Sequence, residues 1–223
     1  IPVETETKHD SGWATALTQF RAVVKLKVVW LQATVLVCAY SSYKAFDQYA
    51  LFAVRGHGID EIDAAQIVTA GAWTRPIAAL ALGLLGDRFG ISRMALVCFV
   101  LLIISHSLFA FTGQALGSLS MILLNTLVTG VAIFGLRGLY FGLLEEGRIP
   151  LAVTGTAVGL ISVIGYTPDV YVAAIAGYLI DQNPGLLGFQ HLFVLLLSFS
   201  IVGALAALAF TREATPSSVT SAH

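Results

Sequence analysis

Gly83-Leu84-Leu85-Gly86-Asp87-Arg88-Phe89-Gly90-Ile91-Ser92-Arg93 separates two long apolar runs. A compact Asp-Arg-Gly cluster in that setting reads as a tight loop at a membrane surface. Glycines at 83 and 90 let the backbone turn sharply and let two helix ends approach closely. Asp87 and Arg88 fall at the polar boundary, placed to pair with each other or with neighbouring helix ends.

The rest of the chain supports a membrane setting for that loop. Its 223 residues are 57% hydrophobic and 11% charged, with a mean hydropathy of +0.84. A soluble domain carries about 25% charged residues, so the composition belongs to the membrane class. A net charge of −1 with no basic stripe argues against a nucleic-acid partner. Cys38 and Cys98 each sit inside an apolar run and suggest neither a disulfide framework nor a metal site. No cofactor is expected. The chain starts at Ile1, and residues 1–10 are polar and acidic without signal-peptide anatomy. A processed start or a cut within a longer protein is the expectation.

Working outward from the loop, six apolar segments each approach the roughly 20 residues needed to cross a hydrocarbon core. They cover about residues 28–54, 63–86, 93–112, 117–143, 150–180 and 188–210, making residues 28–210 a six-helix transmembrane bundle. The fifth is too long for a straight span and contains Pro168, so a kink or tilt is expected there. Residues 1–27 read as a cytoplasmic linker. Within it Trp13, Leu17, Phe20 and Val24 recur at helical spacing beside Arg21, Lys25 and Lys27. Such a helix suits a negatively charged membrane face, or serves as an ordinary solvated linker. Residues 211–223 are small and polar and read as a disordered tail.

Loop charges give the orientation. One side collects Lys8, Arg21, Lys25, Lys27, Arg88, Arg93, Arg148 and Arg212; the other has only Arg55, beside Asp60, Glu61 and Asp63. The positive-inside rule then puts both termini in the cytoplasm, in a multi-pass protein of the plasma (inner) membrane. The loop at 83–93 and the turn Glu145-Glu146-Gly147-Arg148 share the cytoplasmic side.

Polar residues inside spans are costly and face a protein interior or a water-filled cavity. Tyr40, Tyr43, Lys44 and Asp47 follow i, i+3, i+4, i+7 spacing on one helix face. They either line an aqueous cavity or hold a local Lys44–Asp47 pair with Lys44 snorkelling outward. Arg75, just before Pro76, is deep in the second span. Its permanent charge needs an acid on another helix, carbonyls, water or an anionic ligand. The fourth span carries Asn125, Thr126, Thr129 and Arg137, the last placed for substrate or for a pair with Glu145 or Glu146. His106 in the third span reads as a packing residue. Gly155 and Gly159 give the fifth span a spacing that permits backbone-distance packing. Pro168 is expected to break that span, and Asp169 beside it is the best protonatable candidate, unless it pairs permanently with Arg75 or Arg137.

The motif Gly83-x-x-Gly86-Asp87-Arg88-Phe89-Gly90, followed by Arg93, resembles the signature loop of the major facilitator superfamily. In that family the loop lies between the second and third helices of each six-helix half, as it does here. Where the family has two adjacent basic residues after the last glycine, this chain has Ile91 and Ser92. The resemblance covers nearly the whole chain and implies a carboxyl-terminal half, with an amino-terminal six-helix half as its missing partner. It also implies twelve helices around a central cavity that opens alternately to each side. The first and fourth spans would line that cavity, with the second and fifth supporting them and the third and sixth facing lipid. Gly83, Asp87, Arg88, Gly90 and Arg93 would form the cytoplasmic gate.

The function expected is secondary active transport of a small, anionic solute, proton-coupled or by exchange. Candidate contacts are Tyr40, Tyr43, Lys44, Asp47, Arg75, Asn125, Arg137 and Asp169. A non-transporting membrane sensor or interaction subunit on the same fold is the alternative. An enzyme is disfavoured, because no Ser/His pair, His-Glu-x-x-His helix or paired catalytic aspartates occur at suitable spacing.

Overall fold

A computed structural model describes residues 8–214. Among the described residues every regular element is helical. The order is α1 (Lys8–Val24), α2 (Lys27–Ala45), a 3-10 turn (Phe46–Gln48), α3 (Tyr49–Leu51), a π-helical turn (Phe52–Gly56) and α4 (Glu61–Phe89). There follow α5 (Ile91–Phe111), a 3-10 turn (Gly113–Leu116), α6 (Leu119–Leu139), α7 (Gly142–Glu146), α8 (Leu151–Gly165), α9 (Pro168–Gln182) and α10 (Leu186–Ala214). Five stretches are long and apolar enough to cross a membrane: Glu61–Phe89, Ile91–Phe111, Leu119–Leu139, Leu151–Gln182 and Leu186–Ala214. A sixth is reached if Thr15–Val24 and Lys27–Gly56, which meet at 75°, are counted as one bent span.

α5 lies between α6 and α10, α4 packs along α6, and α2 packs against α10, α8 and α9. Glycines set the closest approaches. A Cβ on Gly130 would lie 2.9 Å from the Gly71 carbonyl, and one on Gly138 would lie 2.9 Å from the Ala79 carbonyl. α4 and α6 therefore meet at backbone distance. A Cβ on Gly203 would overlap the Phe99 ring at 2.2 Å, which lets α10 close on α5. Gly155 and Gly159 behave otherwise than their spacing suggested: among the described residues a Cβ on either meets nothing within 4 Å. The close packing belongs to α4–α6 and α5–α10, not to that pair.

The stretch at 83–93 is mostly helix. α4 runs through Asp87, Arg88 and Phe89, and the chain reverses at Gly90 alone, with φ +99°. That backbone conformation is one side-chain-bearing residues rarely adopt. Gly86 serves packing instead, because a Cβ there would lie 2.8 Å from Leu139 Cδ2. Glu146 then secures the new helix. Its carboxylate accepts from the Ser92 backbone N–H at 2.7 Å and from Ser92 Oγ at 2.5 Å, satisfying free donors in the first turn of α5.

The fifth apolar segment is interrupted between Gly165 and Pro168. Pro168 has no N–H for the Ile164 carbonyl, which instead accepts from Thr167 Oγ1 at 2.7 Å and from the Thr167 N–H at 3.2 Å. At the far end of the chain α10 continues through residues 211–214, so the tail read from 211 onward begins as helix. Thr211 Oγ1 donates to the Ala207 carbonyl at 2.9 Å, which is compatible with that last turn. Residues 215–223 of that tail and residues 1–7 of the linker lie outside the described residues.

Candidate functional site

Three helix contacts assemble one charged wall. Packing of α2 on α9 brings Asp169 to the first span. Tyr40 Oη donates to Asp169 Oδ2 at 2.9 Å, and Lys44 Nζ lies 3.3 Å from Asp169 Oδ1. Lys44 also reaches Asp47 Oδ2 at 3.6 Å, although Asp47 has left α2 for the following 3-10 turn. The local pair therefore exists, and it belongs to a larger cluster with Tyr40 and Asp169. The permanent pair expected for Asp169 was with Arg75 or Arg137; its cation is Lys44. The Lys44 side chain is 26% exposed and that of Asp169 50%. An ion pair so accessible contributes about 1 kcal/mol or less wherever water reaches it. It is therefore a pair that another charged group can displace.

The α2–α6 contact places Arg137 over the Tyr43 ring, with Cζ 4.3 Å from the centroid. The α4–α6 contact places Arg75 over Phe134 at 4.7 Å. The Tyr43 and Phe134 rings are 6.3 Å apart and edge-on, so the two guanidiniums flank one aromatic step. Tyr40 extends the step, 5.3 Å from Tyr43 and 4.8 Å from Tyr166. Arg75 and Arg137 are both exposed. Among the described residues neither has a carboxylate within 4 Å. Among the described residues the pairing of Arg137 with Glu145 or Glu146 is not formed; Glu146 is held by Ser92 instead. A guanidinium stacked on a ring gains about 0.5–2 kcal/mol and keeps its N–H edge free for an anion. Arg75 and Pro76 also border an open cleft of about 390 Å³ with Val68, Thr69, Ala72 and Trp73.

Asn125 lies elsewhere. It is 7% exposed and its Nδ2 donates to the Ser105 carbonyl at 3.2 Å, inside the α5–α6 contact. A short amide at the first contact between two spans satisfies a packing need, which span position alone did not reveal. In the gate segment Asp87, Arg88 and Arg93 are exposed, and Arg88 lies over its neighbour Phe89 at 5.3 Å. Among the described residues Asp87 and Arg88 are not paired with each other. Sequence reasoning missed Phe134, Tyr166 and the Glu146–Ser92 bond. For Phe134 a signal existed: residues 130, 134 and 137 share a helix face, and the aromatic among them supports Arg75.

The outer surface divides into two kinds. α5 presents a purely apolar stripe of Val97, Val100, Ile104, Leu108 and Phe111, as a lipid-facing helix does. α4 exposes Trp73, Ile77, Leu80 and Leu84 on its outer face together with Gln66 and Thr69, while Arg75, two residues from Trp73, is exposed on the other side, over Phe134 of α6. A charged group facing lipid is expensive, so the side of α4 that carries Arg75 calls for protein or water opposite it.

No family model matches the chain. It is similar to inner membrane protein YihN of Escherichia coli (strain K12), 25% identical over 217 residues, covering 93% of this chain and 50% of that protein. It is also similar to inner membrane protein YqcE of the same organism, 25% identical over 189 residues, covering 80% of this chain and 43% of that protein. The chain spans about half the length of the curated relatives it matches.

Proposed function

We propose that this chain is one six-helix half of a secondary transporter of the major facilitator type, carrying a small organic or inorganic anion by alternating access across an inner membrane. The observation that carries this reading is the pair of exposed guanidiniums. Arg75 and Arg137 stand on one aromatic step with no acid beside either among the described residues. Two fixed forks with open N–H edges suit an anion with several oxygens. Lys44, Tyr40 and Asp169 supply the coupling element, whether to a proton or to an exchanged anion: a partly exposed ion pair that an incoming anion displaces.

Two further observations support a missing half. Arg75 is left uncovered on α4, and the chain accounts for half the length of YihN. The second six-helix half is assigned to the uncovered α4 and α8–α9 surfaces, with Arg75 looking into the space between halves. Asp87 and Arg88, not paired with each other among the described residues, are assigned to closure against that half. Both termini are assigned to the cytoplasm.

The test is counterflow. The intact protein in proteoliposomes preloaded with a candidate anion should concentrate labelled anion against its gradient. Saturable binding without counterflow would overturn transport and leave a sensor on the same fold.

A further inference from the structure

α1 carries a surface that the proposed transport site does not use. Its direction differs by 75° from that of Lys27–Gly56. When the latter stands across a bilayer, α1 therefore runs close to the membrane plane. The corner is well made: the Leu26 N–H reaches the Val23 carbonyl at 3.0 Å, and Trp30 Nε1 donates to the Val24 carbonyl at 2.8 Å. Just beyond it Lys27 pairs with Glu213 of α10.

The depth of α1 is fixed by its contact with α8. Gln19 Nε2 donates to the Ala152 carbonyl at 3.2 Å, and Gln19 Oε1 accepts from Thr156 Oγ1 at 3.4 Å. Ala152 lies in the first turn of α8, where the stretch Leu151–Gln182 begins. α1 thus lies at the level where a span enters the membrane. Gln19 and the fully buried Val23 define its bundle-facing side.

Another side remains open. Trp13, Leu17 and Phe20 are 68%, 57% and 47% exposed and follow i, i+4, i+7 spacing on one face. Arg21 and Lys25, one turn apart and both exposed, flank that face on the side away from Gln19. Among the described residues neither has a carboxylate within 4 Å. Arg148, exposed just before α8, adds a cation at the same end.

We infer that this face is a docking surface for anionic lipid headgroups. The Trp13–Leu17–Phe20 stripe enters the headgroup–acyl boundary while Arg21 and Lys25 meet lipid phosphates. The charge complementarity and the depth set by Gln19 select a bilayer surface over other occupants. An apolar stripe flanked by unpaired cations is the build of an interfacial helix. This inference requires only that the spans cross a bilayer, not that the protein transports.

The experiment uses the intact protein with a spin label confined to position 17, in phosphatidylcholine vesicles with and without phosphatidylglycerol. Collisions with oxygen report the bilayer, and collisions with a water-soluble nickel chelate report solvent. Oxygen should dominate when phosphatidylglycerol is present. Arg21→Gln with Lys25→Gln, or removal of phosphatidylglycerol, should shift the balance toward nickel by about fivefold per lost charge contact. A label that meets neither probe would mean that protein covers the face, and nickel dominance throughout would mean that water does; either overturns the inference. Equal oxygen access with and without the anionic lipid would overturn headgroup recognition.

Discussion

The seam between α5, α6 and α10 and the wall formed by α2, α4, α6 and α9 both carry polar residues within apolar helices. In the seam, Ser105, His106, Thr129 and Ser200 have no exposure. Ser105 and Thr129 share a hydroxyl hydrogen bond, Thr129 donates to the Asn125 carbonyl at 2.8 Å, and His106 Nδ1 meets Ser200 Oγ at 3.0 Å. On the wall, Arg75, Arg137 and Asp169 are exposed, and the guanidiniums have rings for company instead of acids. Polarity within a span therefore does not mark a site by itself. The mark is a charged group left with bonding capacity on a surface that lipid would penalise.

The largest expected effect tests the wall. Arg75→Ala or Arg137→Ala in the intact protein should lower anion uptake roughly 10- to 100-fold, the loss of a charge-assisted contact of about 1.5–3 kcal/mol. Thermal stability should move little, because neither guanidinium anchors an acid among the described residues. Wild-type uptake by both variants would remove them from the site and collapse the distinction between wall and seam.

Glu146 sharpens the distinction, since it is charged yet fully used. Its two bonds to Ser92 make it behave as the seam does. Glu146→Ala should cost about 1.5–3 kcal/mol in unfolding measurements, with Glu146→Gln recovering part of the loss. A stable Glu146→Ala protein would show that the turn at Gly90 holds without this anchor.

The α4–α6 contact behind the wall depends on close approach, which two glycines separate cleanly. Gly130→Ala forces a methyl against the Gly71 carbonyl and should destabilise by about 1–3 kcal/mol. Gly155→Ala enters open space within this chain and should stay within about 1 kcal/mol, on the stabilising side from helix propensity. If the two variants melted alike, backbone-distance packing would not be what holds α4 to α6.

These contrasts also show what could be read before any coordinates. Five of the six spans were legible, because long apolar runs and the break at Pro168 are properties of local chain, while the loop read across 83–93 narrowed to Gly90. The face holding Tyr40, Tyr43 and Lys44 was legible for the same reason, since helical spacing fixes it. Which helix supplies each partner was not. Asp169 meets Lys44 because α9 packs on α2, and nothing local to either segment specifies that contact. The spacing of Gly155 and Gly159 promised close packing, yet only a neighbouring helix decides whether a glycine is used. Asn125 looked like a ligand contact for the opposite reason: its partner is a backbone carbonyl, which leaves no trace in sequence.

Asn125 gives the finest cut through the comparison, and the smallest effect. Asn125→Ala removes the bond from Nδ2 to the Ser105 carbonyl and leaves that acceptor in an apolar contact. Interhelical hydrogen bonds of this kind average about 0.6 kcal/mol within membranes and reach about 1.7. The variant should therefore melt slightly earlier while its KM for the transported anion stays at the wild-type value. A raised KM with unchanged stability would move Asn125 from the seam to the wall. The cavity would then reach through α6 to the α5 interface, and burial would no longer separate packing polarity from binding polarity in this fold.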